Sequence, residues 1–431
     1  MEARIVYLYN IINKFTYYLI QYIEVEYVNK LYKILIALLI VNMLNIQYIF
    51  GANYLYEKKS KDKQESSIST VANPSFTFES EAQILMEPST GRILYANNEN
   101  ERMLPASVTK VMTLLLIMEQ IDSGVLEYTD TVTCSKNAAS MGGSQIWFKE
   151  GEQLTIDEAL KAICVVSAND VTVAMAELIG GNEENFVIAM NAKARELGME
   201  NTHFMNCHGI DEEGHYTCAK DVAIMARELI TKHPNILNYT SIWMDSLRGG
   251  KTELTSTNKL IRFYDGATGL KTGYTSNALY NLAATATRKD TTYISVVMKA
   301  PSSDVRLAET KTLLDYGFAT YETKKICSSN TILEELQVNK NIAEKLETRL
   351  QDDIYSLVER GKNVDTDQIV TYNEELSAPI ESGDIIGSVE IIDKNTNESI
   401  GKTNIVANNT INKSRITDYL KFIFGKFLLK Q

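Results

Sequence analysis

The chain has 431 residues, 45% of them hydrophobic and 23% charged, which is an ordinary globular balance. Its formal net charge of −12 argues against a nucleic-acid binder and against general attraction to anionic lipid. The five cysteines are scattered, with no Cys-x-x-Cys pair, so they describe no disulfide framework. A single Cys207–Cys218 bridge fits the spacing, but unpaired buried thiols are the simpler expectation. The length exceeds what one small core needs, so two domains with extra segments are expected.

Taken in order, the chain first shows Lys30 and Lys33 ahead of an apolar segment from Ile34 to Val41 that runs on to Phe50. A positive flank, an apolar core and the small pair Gly51-Ala52 predict an export signal or uncleaved anchor over residues 1–52. The stretch before Val28 is long for a leader and points to a translation start near Val28. Residues 53–76 are polar, with a lysine cluster and a serine patch, and read as a tether. Two strand-like runs follow, Ala82–Met86 and Arg92–Tyr95, separated by the turn residues Pro88-Ser89-Thr90-Gly91.

Next comes Pro105-Ala106-Ser107-Val108-Thr109-Lys110, which runs into the apolar Val111–Met118. Proline suits a first helical position, and apolar residues all round the axis predict a helix inside the fold. Ser107 and Lys110, three apart, share a face of that helix. A buried lysine loses its charge readily, and the free amine can take a proton from a neighbouring hydroxyl. Ser-x-x-Lys is short, however, and on the order of one or two copies arise by composition alone in a chain this long. It needs context.

Leu154 to Ile179 is helical in pattern and contains Ser167-Ala168-Asn169-Asp170. Serine and asparagine favour caps and turns, so this tetrapeptide should join two helices. His203, Cys207, His208, His215 and Cys218 then crowd together, and these residue types can bind zinc. Their spacing fits none of the usual metal patterns, so no metal site is expected. Further on, Asp265–Thr275 leads into the strand-like runs Leu279–Thr287 and Thr292–Met298. On a strand Lys271 and Gly273 point one way and Thr272 the other, unless a twist or bulge turns it, and a glycine there admits a second backbone alongside. From about Glu322 short strands are expected at Ile354–Val358, Ile369–Tyr372, Ile385–Ile392 and Ile400–Val406, which suits a small β-sandwich. Finally, Ile416, Leu420, Ile423, Phe424, Phe427 and Leu428 share one side of a helix, with lysines around it. That pattern suits a helix lying on a membrane surface.

Ser107-x-x-Lys110, Ser167-x-Asn169 and Lys271-Thr272-Gly273 together form the motif trio of serine β-lactamases and penicillin-binding proteins. The chain resembles the D-alanyl-D-alanine carboxypeptidases among them, through Met141-Gly142-Gly143-Ser144, His208-Gly209, Gly269–Thr275 and Leu313–Phe318 as well. The resemblance implies an α+β fold: an antiparallel sheet flanked by helices over residues 77–321, then a β-sandwich over 322–408. Residues 409–431 would be the membrane-associating helix. It implies that Ser107 is the nucleophile and Lys110 its base, and that Ser167 and Asn169 complete the hydrogen-bond chain and hold the substrate amide. Lys271 would depress the Lys110 pKa by like-charge repulsion, while Thr272 and Gly273 line the substrate strand. The N–H groups of Ser107 and Tyr274 would form an oxyanion hole, where one donor is worth about 3 kcal/mol. Arg306 would grip the substrate carboxylate with two parallel bonds, whereas without the resemblance it would simply pair with Glu309.

No metal or organic cofactor is implied. The partners implied are peptidoglycan peptide stems, β-lactams as covalent inhibitors, and the outer face of the cytoplasmic membrane. The alternatives are a β-lactamase with the same motifs and a catalytically silent wall-binding protein. The chain also departs from the pattern: Leu279 stands where glycine is expected, Asn281 where cysteine is, Cys207 where proline is and Cys218 where threonine is.

Overall fold

A computed structural model describes residues 74–415 and 417–418, apart from 330, 343 and 374. The expected export segment, and residues 416 and 419–431 of the expected membrane helix, lie outside the described residues; 409–415 are not helical, and Ile411 bridges to Ile380 and is buried in the C-terminal core. Among those described, no helix is long and apolar enough to cross a membrane.

The hairpin at the start is present. Strands Ala82–Glu87 (β1) and Arg92–Asn97 (β2) pair antiparallel, and the Glu87 carboxylate accepts the Ser89 and Thr90 N–H groups in the turn between them. The apolar run forms helix Lys110–Asp122 (α1), whose residues from Lys110 to Met118 are all buried, as its uniform apolarity requires. Its entry differs from expectation. Ala106–Thr109 is a 3-10 turn, so Ser107 precedes the α-helix and Lys110 begins it.

A short ribbon, Thr131–Thr133 (β3) with Gln153–Thr155 (β4), leads to helix Ile156–Val166 (α2), whose first turn carries a reciprocal Thr155–Glu158 capping box. Helices Asn169–Gly180 (α3), Glu183–Glu196 (α4) and Ala219–Lys232 (α5) follow. A second ribbon, Met244–Leu247 (β5) with Thr252–Thr255 (β6), precedes strands Ala267–Thr275 (β7), Leu279–Arg288 (β8) and Thr291–Ala300 (β9). Helix Ser303–Thr320 (α6) closes this part.

The main sheet is antiparallel, in the order β2-β1-β9-β8-β7. Both faces are covered. Ile84, Met86, Ile294 and Val296 pack into the core that includes α1, α2 and α5, while Leu85, Val297 and Tyr293 pack against Leu313, Leu314 and Phe318 of α6. Burial on both sides explains why β8 and β9 read as near-continuous apolar runs. The strand order leaves β7 at an edge, where a ligand can reach its backbone.

The C-terminal part is β-rich. Tyr321–Cys327 (β10), Ile332–Leu336 (β11) and Leu346–Leu350 (β12) precede Ile354–Glu359 (β13), Thr366–Tyr372 (β14), Ile385–Asp393 (β15) and Ser399–Ala407 (β16). Strands β10 and β13 form a two-stranded ribbon, and the other five a sheet in the order β11-β12-β16-β15-β14. Leu346, Ile354, Ile391 and Ile405 share one core. The sequence reading located β13 to β16 and passed over the first three strands.

Candidate active site

Five segments build the site. The 3-10 turn and α1 bring Ser107 and Lys110 together, with Lys110 Nζ 3.1 Å from Ser107 Oγ. The same nitrogen lies 2.6 Å from Asn169 Oδ1 and 2.6 Å from the His208 carbonyl oxygen. A neutral amine has two N–H donors and one lone pair, which matches two carbonyl acceptors and one hydroxyl. The Lys110 pKa is held well below its ordinary value, chiefly by burial and secondly by the charge of Lys271. Like-charge repulsion therefore assists, but removal from water is the larger cause.

The loop from His203 to His215 wraps the foot of α1. Thr113 Oγ1 donates to the Cys207 carbonyl at 2.6 Å, and Thr109 Oγ1 meets His215 Nε2 at 2.8 Å. Gly209, at φ +91°, lies so close that a Cβ there would stand 1.9 Å from the Ala106 carbonyl oxygen. Burial lowers the His208 pKa to about 3 and that of His215 to about 4. The crowded histidines and cysteines thus serve as hydrogen-bonding packing. Among the described residues no three metal-ligating side chains converge. The cysteines are unpaired; Cys207 Sγ lies 3.1 Å from Glu183 Oε1, and Cys218 accepts the Asp221 N–H as the N-cap of α5.

Ser167 and Ala168 join α2 to α3 as expected, but Ser167 is no ordinary cap. It sits at φ +64°, a region that favours glycine, and its buried hydroxyl has no hydrogen-bond partner. Asn169 opens α3 and is held from behind: its Nδ2 donates to the Gly142 carbonyl at 2.8 Å and its N–H to Ser144 at 2.7 Å. A Cβ on Gly143 would come within 2.9 Å of that amide nitrogen. Asp170, quoted in the sequence motif without a task, accepts the Ile146 and Phe148 N–H groups and so ties this loop to α3.

On the opposite side lies the edge strand β7. Gly273 admits the nucleophile turn, because a Cβ there would stand 2.8 Å from the Pro105 carbonyl oxygen and 3.1 Å from the Ser107 nitrogen. Lys271 is buried and has one acceptor among the described residues, the Thr272 carbonyl at 2.9 Å. Burial, aided by Arg306, brings its pKa down to about 7. Thr272 Oγ1 is 2.8 Å from Thr257 Oγ1, and the half-exposed Tyr274 ring lies against Tyr280, centroids 4.4 Å apart.

Arg306 does not pair with Glu309. That carboxylate is taken by the Glu79 and Ser80 N–H groups, with the Ser80 hydroxyl as a third donor. The Arg306 guanidinium instead lies beneath β7 and β8, where Nη1 donates to Asn281 O at 3.1 Å and Nη2 to Ser303 Oγ at 3.3 Å. Its Nε has no partner although buried.

Asn281 was missed as a site residue. Fully buried opposite Gly273, it donates to the Leu104 and Pro105 carbonyls at 2.9 and 3.1 Å and accepts the Lys299 N–H at 2.7 Å. The available signal was a lone amide within an apolar strand. Leu279 stands at φ +53° at the β7–β8 turn. A glycine there would answer that backbone requirement.

A family model described as D-alanyl-D-alanine carboxypeptidase matches residues 67–302, and one for the C-terminal domain of penicillin-binding protein 5 matches 321–413. The chain belongs to the D-alanyl-D-alanine carboxypeptidase family. It is 40% identical to the D-alanyl-D-alanine carboxypeptidase DacF of Bacillus subtilis, over 80% of this chain and 90% of that one. Among solved structures it is similar to penicillin-binding protein 5 of Haemophilus influenzae, with 30% identity and a TM-score of 0.64, covering 79% of this chain and 99% of that one. It is also similar to penicillin-binding protein D2 of Listeria monocytogenes in its ampicillin-bound form, with 28% identity and a TM-score of 0.53, covering 57% of this chain and all of that one.

Proposed function

We propose that this chain is a serine D-Ala-D-Ala carboxypeptidase that removes the last D-alanine from peptidoglycan stems through an acyl-enzyme on Ser107. The observation that carries this reading is the buried Lys110 amine 3.1 Å from the Ser107 hydroxyl, its pKa held well below the ordinary value by burial and by Lys271. Ser107 Oγ attacks the carbonyl of the penultimate D-alanine as its proton passes to Lys110 Nζ. The alkoxide that develops is met by the N–H groups of Ser107 and Tyr274, which replace water with fixed donors. When the C–N bond breaks, the leaving D-alanine nitrogen takes the proton that Lys110 received from Ser107. The unpartnered Ser167 hydroxyl is suited to carry it. Water then cleaves the ester by the reverse proton path.

The free carboxylate of the substrate needs cations. Among the described residues Lys271 has a single acceptor and the Arg306 Nε none, so that Lys271, the Thr272 hydroxyl and Arg306 behind the same strand are suited to it. β-Lactams, whose strained amide mimics the terminal dipeptide, should acylate Ser107. The test is mass spectrometry of the penicillin-treated protein, with D-alanine release from a D-Ala-D-Ala peptide assayed in parallel. A long-lived adduct on Ser107 and loss of both signals in Ser107→Ala are expected. Rapid penicillin turnover would mark a β-lactamase instead, and an unlabelled Ser107 would mark a silent wall binder.

The enzyme works outside the cytoplasmic membrane, held at its outer face by the amphipathic segment 416–430. The segment's apolar side and its lysines support this reading. A chain lacking residues 416–431 should leave the membrane pellet once the export segment is cleaved, and continued pelleting would refute the anchor.

A further inference from the structure

Trp147 has a conformation that packing does not explain. Its neighbours Ile146 and Phe148 are buried, yet its own indole is 73% exposed, and its backbone sits at φ +57°. Left-handed backbone is costly for so bulky a residue and persists only where its surroundings enforce it. They do so here. Both flanking N–H groups are held on one carboxylate oxygen of Asp170, at 3.1 and 2.9 Å. The Ile146 carbonyl accepts Arg248 Nη1 at 3.0 Å, and that guanidinium is itself fixed by two bonds to Glu152, at 2.6 and 3.2 Å.

The same loop is part of the site wall. Its Gly142 and Ser144 carbonyls hold Asn169, whose Oδ1 lies 2.6 Å from Lys110 Nζ. The indole thus stands on a cross-braced loop, three residues along the chain from the Ser144 carbonyl that holds Asn169, and among the described residues it has no aromatic or cationic partner. Arg248 and Glu152 neutralise each other, and the buried Asp170 carboxylate is turned inward onto backbone donors. A rigid, uncharged ring held out at low entropic cost suits a binding anchor for apolar chain.

We propose that Trp147 is a substrate-contacting residue that packs on the stem peptide preceding the two terminal alanines. The proposal rests on the carboxypeptidase reading, in which Ser107, Lys271 and Arg306 take up the terminal dipeptide. The rest of the stem must then leave the cleft across its rim.

The test compares two substrates, an acetyl-capped D-Ala-D-Ala dipeptide and the free stem pentapeptide L-Ala-D-Glu-L-Lys-D-Ala-D-Ala. Trp147→Ala should lower the ratio of kcat/KM for pentapeptide over dipeptide about tenfold, mainly through KM, and Trp147→Phe should restore most of it. The chain has two tryptophans, so a Ser107→Ala, Trp243→Phe variant leaves Trp147 as its sole indole. Its fluorescence should shift when the pentapeptide is added and stay unchanged with the dipeptide. An unchanged ratio, an equal loss on both substrates, or a loss seen only when a disaccharide is attached to the stem would each overturn the assignment, the last by giving the ring to the sugar. Penicillin labelling of Ser107 separates the two levels of failure: labelled protein with an unchanged ratio refutes the Trp147 site alone, whereas unlabelled protein refutes the carboxypeptidase reading beneath it.

Discussion

Two buried lysines face one cleft, and the foot of α1 treats its lysine differently from the way the edge of β7 treats its own. Lys110 has three close neighbours, Ser107 Oγ, Asn169 Oδ1 and the His208 carbonyl, which use every donor and lone pair of a neutral amine. Among the described residues Lys271 has one acceptor, the Thr272 carbonyl, which leaves it further donor capacity. The pKa of Lys110 is held well below its ordinary value by burial and by Lys271, and burial brings that of Lys271 down to about 7. A saturated, neutral amine suits proton transfer, and an unsaturated, partly charged one suits an incoming carboxylate. Burial is common to both, so the difference in role comes from how many partners each nitrogen already has.

The most severe way to break this comparison is to remove the helix-side amine. Lys110→Met should slow acylation of Ser107 by penicillin about 10³- to 10⁴-fold, the usual worth of a positioned base at the upper end of its range. Stopped-flow or gel-labelling rates measure this directly. If acylation persisted near the parental rate, the base would lie elsewhere.

A smaller effect is expected where the two sides are joined. Asn281 donates to the Leu104 and Pro105 carbonyls and so sets the distance between β8 and the nucleophile turn. Asn281→Asp keeps the size and the acceptor for the Lys299 N–H but replaces the donors with a carboxylate facing two carbonyl oxygens. Acylation should fall about ten- to a hundredfold, as expected when a reacting group is displaced by about an ångström. Asn281→Ala should fall less than Asn281→Asp, because it removes the donors without adding repulsion. The reverse order would show that volume, and not hydrogen bonding, holds the turn.

The electrostatic half of the comparison is read in pH. Acylation requires Lys110 neutral, so the rate falls as pH drops through its depressed pKa. Lys271 must be charged to attract a carboxylate, so substrate capture weakens as pH rises past about 7. Lys271→Gln removes a positive neighbour, which makes the Lys110 ammonium easier to form and raises its pKa. The acid limb of kcat/KM should therefore move to higher pH and the alkaline limb should flatten. KM for D-Ala-D-Ala peptides should rise about tenfold. An acid limb that stayed in place would mean that burial alone sets the Lys110 pKa.

Much of this arrangement was legible in the chain because each motif has a local physical cause. The uniform apolarity around Lys110 foretold a buried amine, and Ser167-Ala168-Asn169 broke a helical pattern where two helices meet. What could not be read is what depends on long-range approach. The Arg306 side chain faced a plausible partner in Glu309, and only the fold shows that Glu309 is occupied by Glu79 and Ser80 from the other end of the domain. The His208 carbonyl and the Asn281 amide act through atoms whose neighbours are about a hundred residues or more away. Strand β11 was missed because adjacent charges interrupt its apolar alternation, as in Ile332-Leu333-Glu334-Glu335-Leu336, whereas β12 does alternate but is short and carries Thr348 between its two buried leucines.

The strand side of the comparison also carries a removable cost. Leu279 begins β8 at φ +53°, where a Cβ crowds the following carbonyl at a cost of about 1–2 kcal/mol. Its half-buried side chain joins none of the three apolar cores, so little packing is lost if it is removed. Leu279→Gly relieves the backbone but frees the unfolded chain, which takes back roughly 0.5–1 kcal/mol. The net gain should be about 0.5–1 kcal/mol, seen as a higher urea midpoint at unchanged m-value. Acylation rates should stay near the parental value, because the turn lies beyond Tyr274 and touches neither lysine. A loss of stability would show that the leucine side chain earns its place by contacts, and a loss of acylation would show that the turn, like Asn281, helps to position β7 against Ser107.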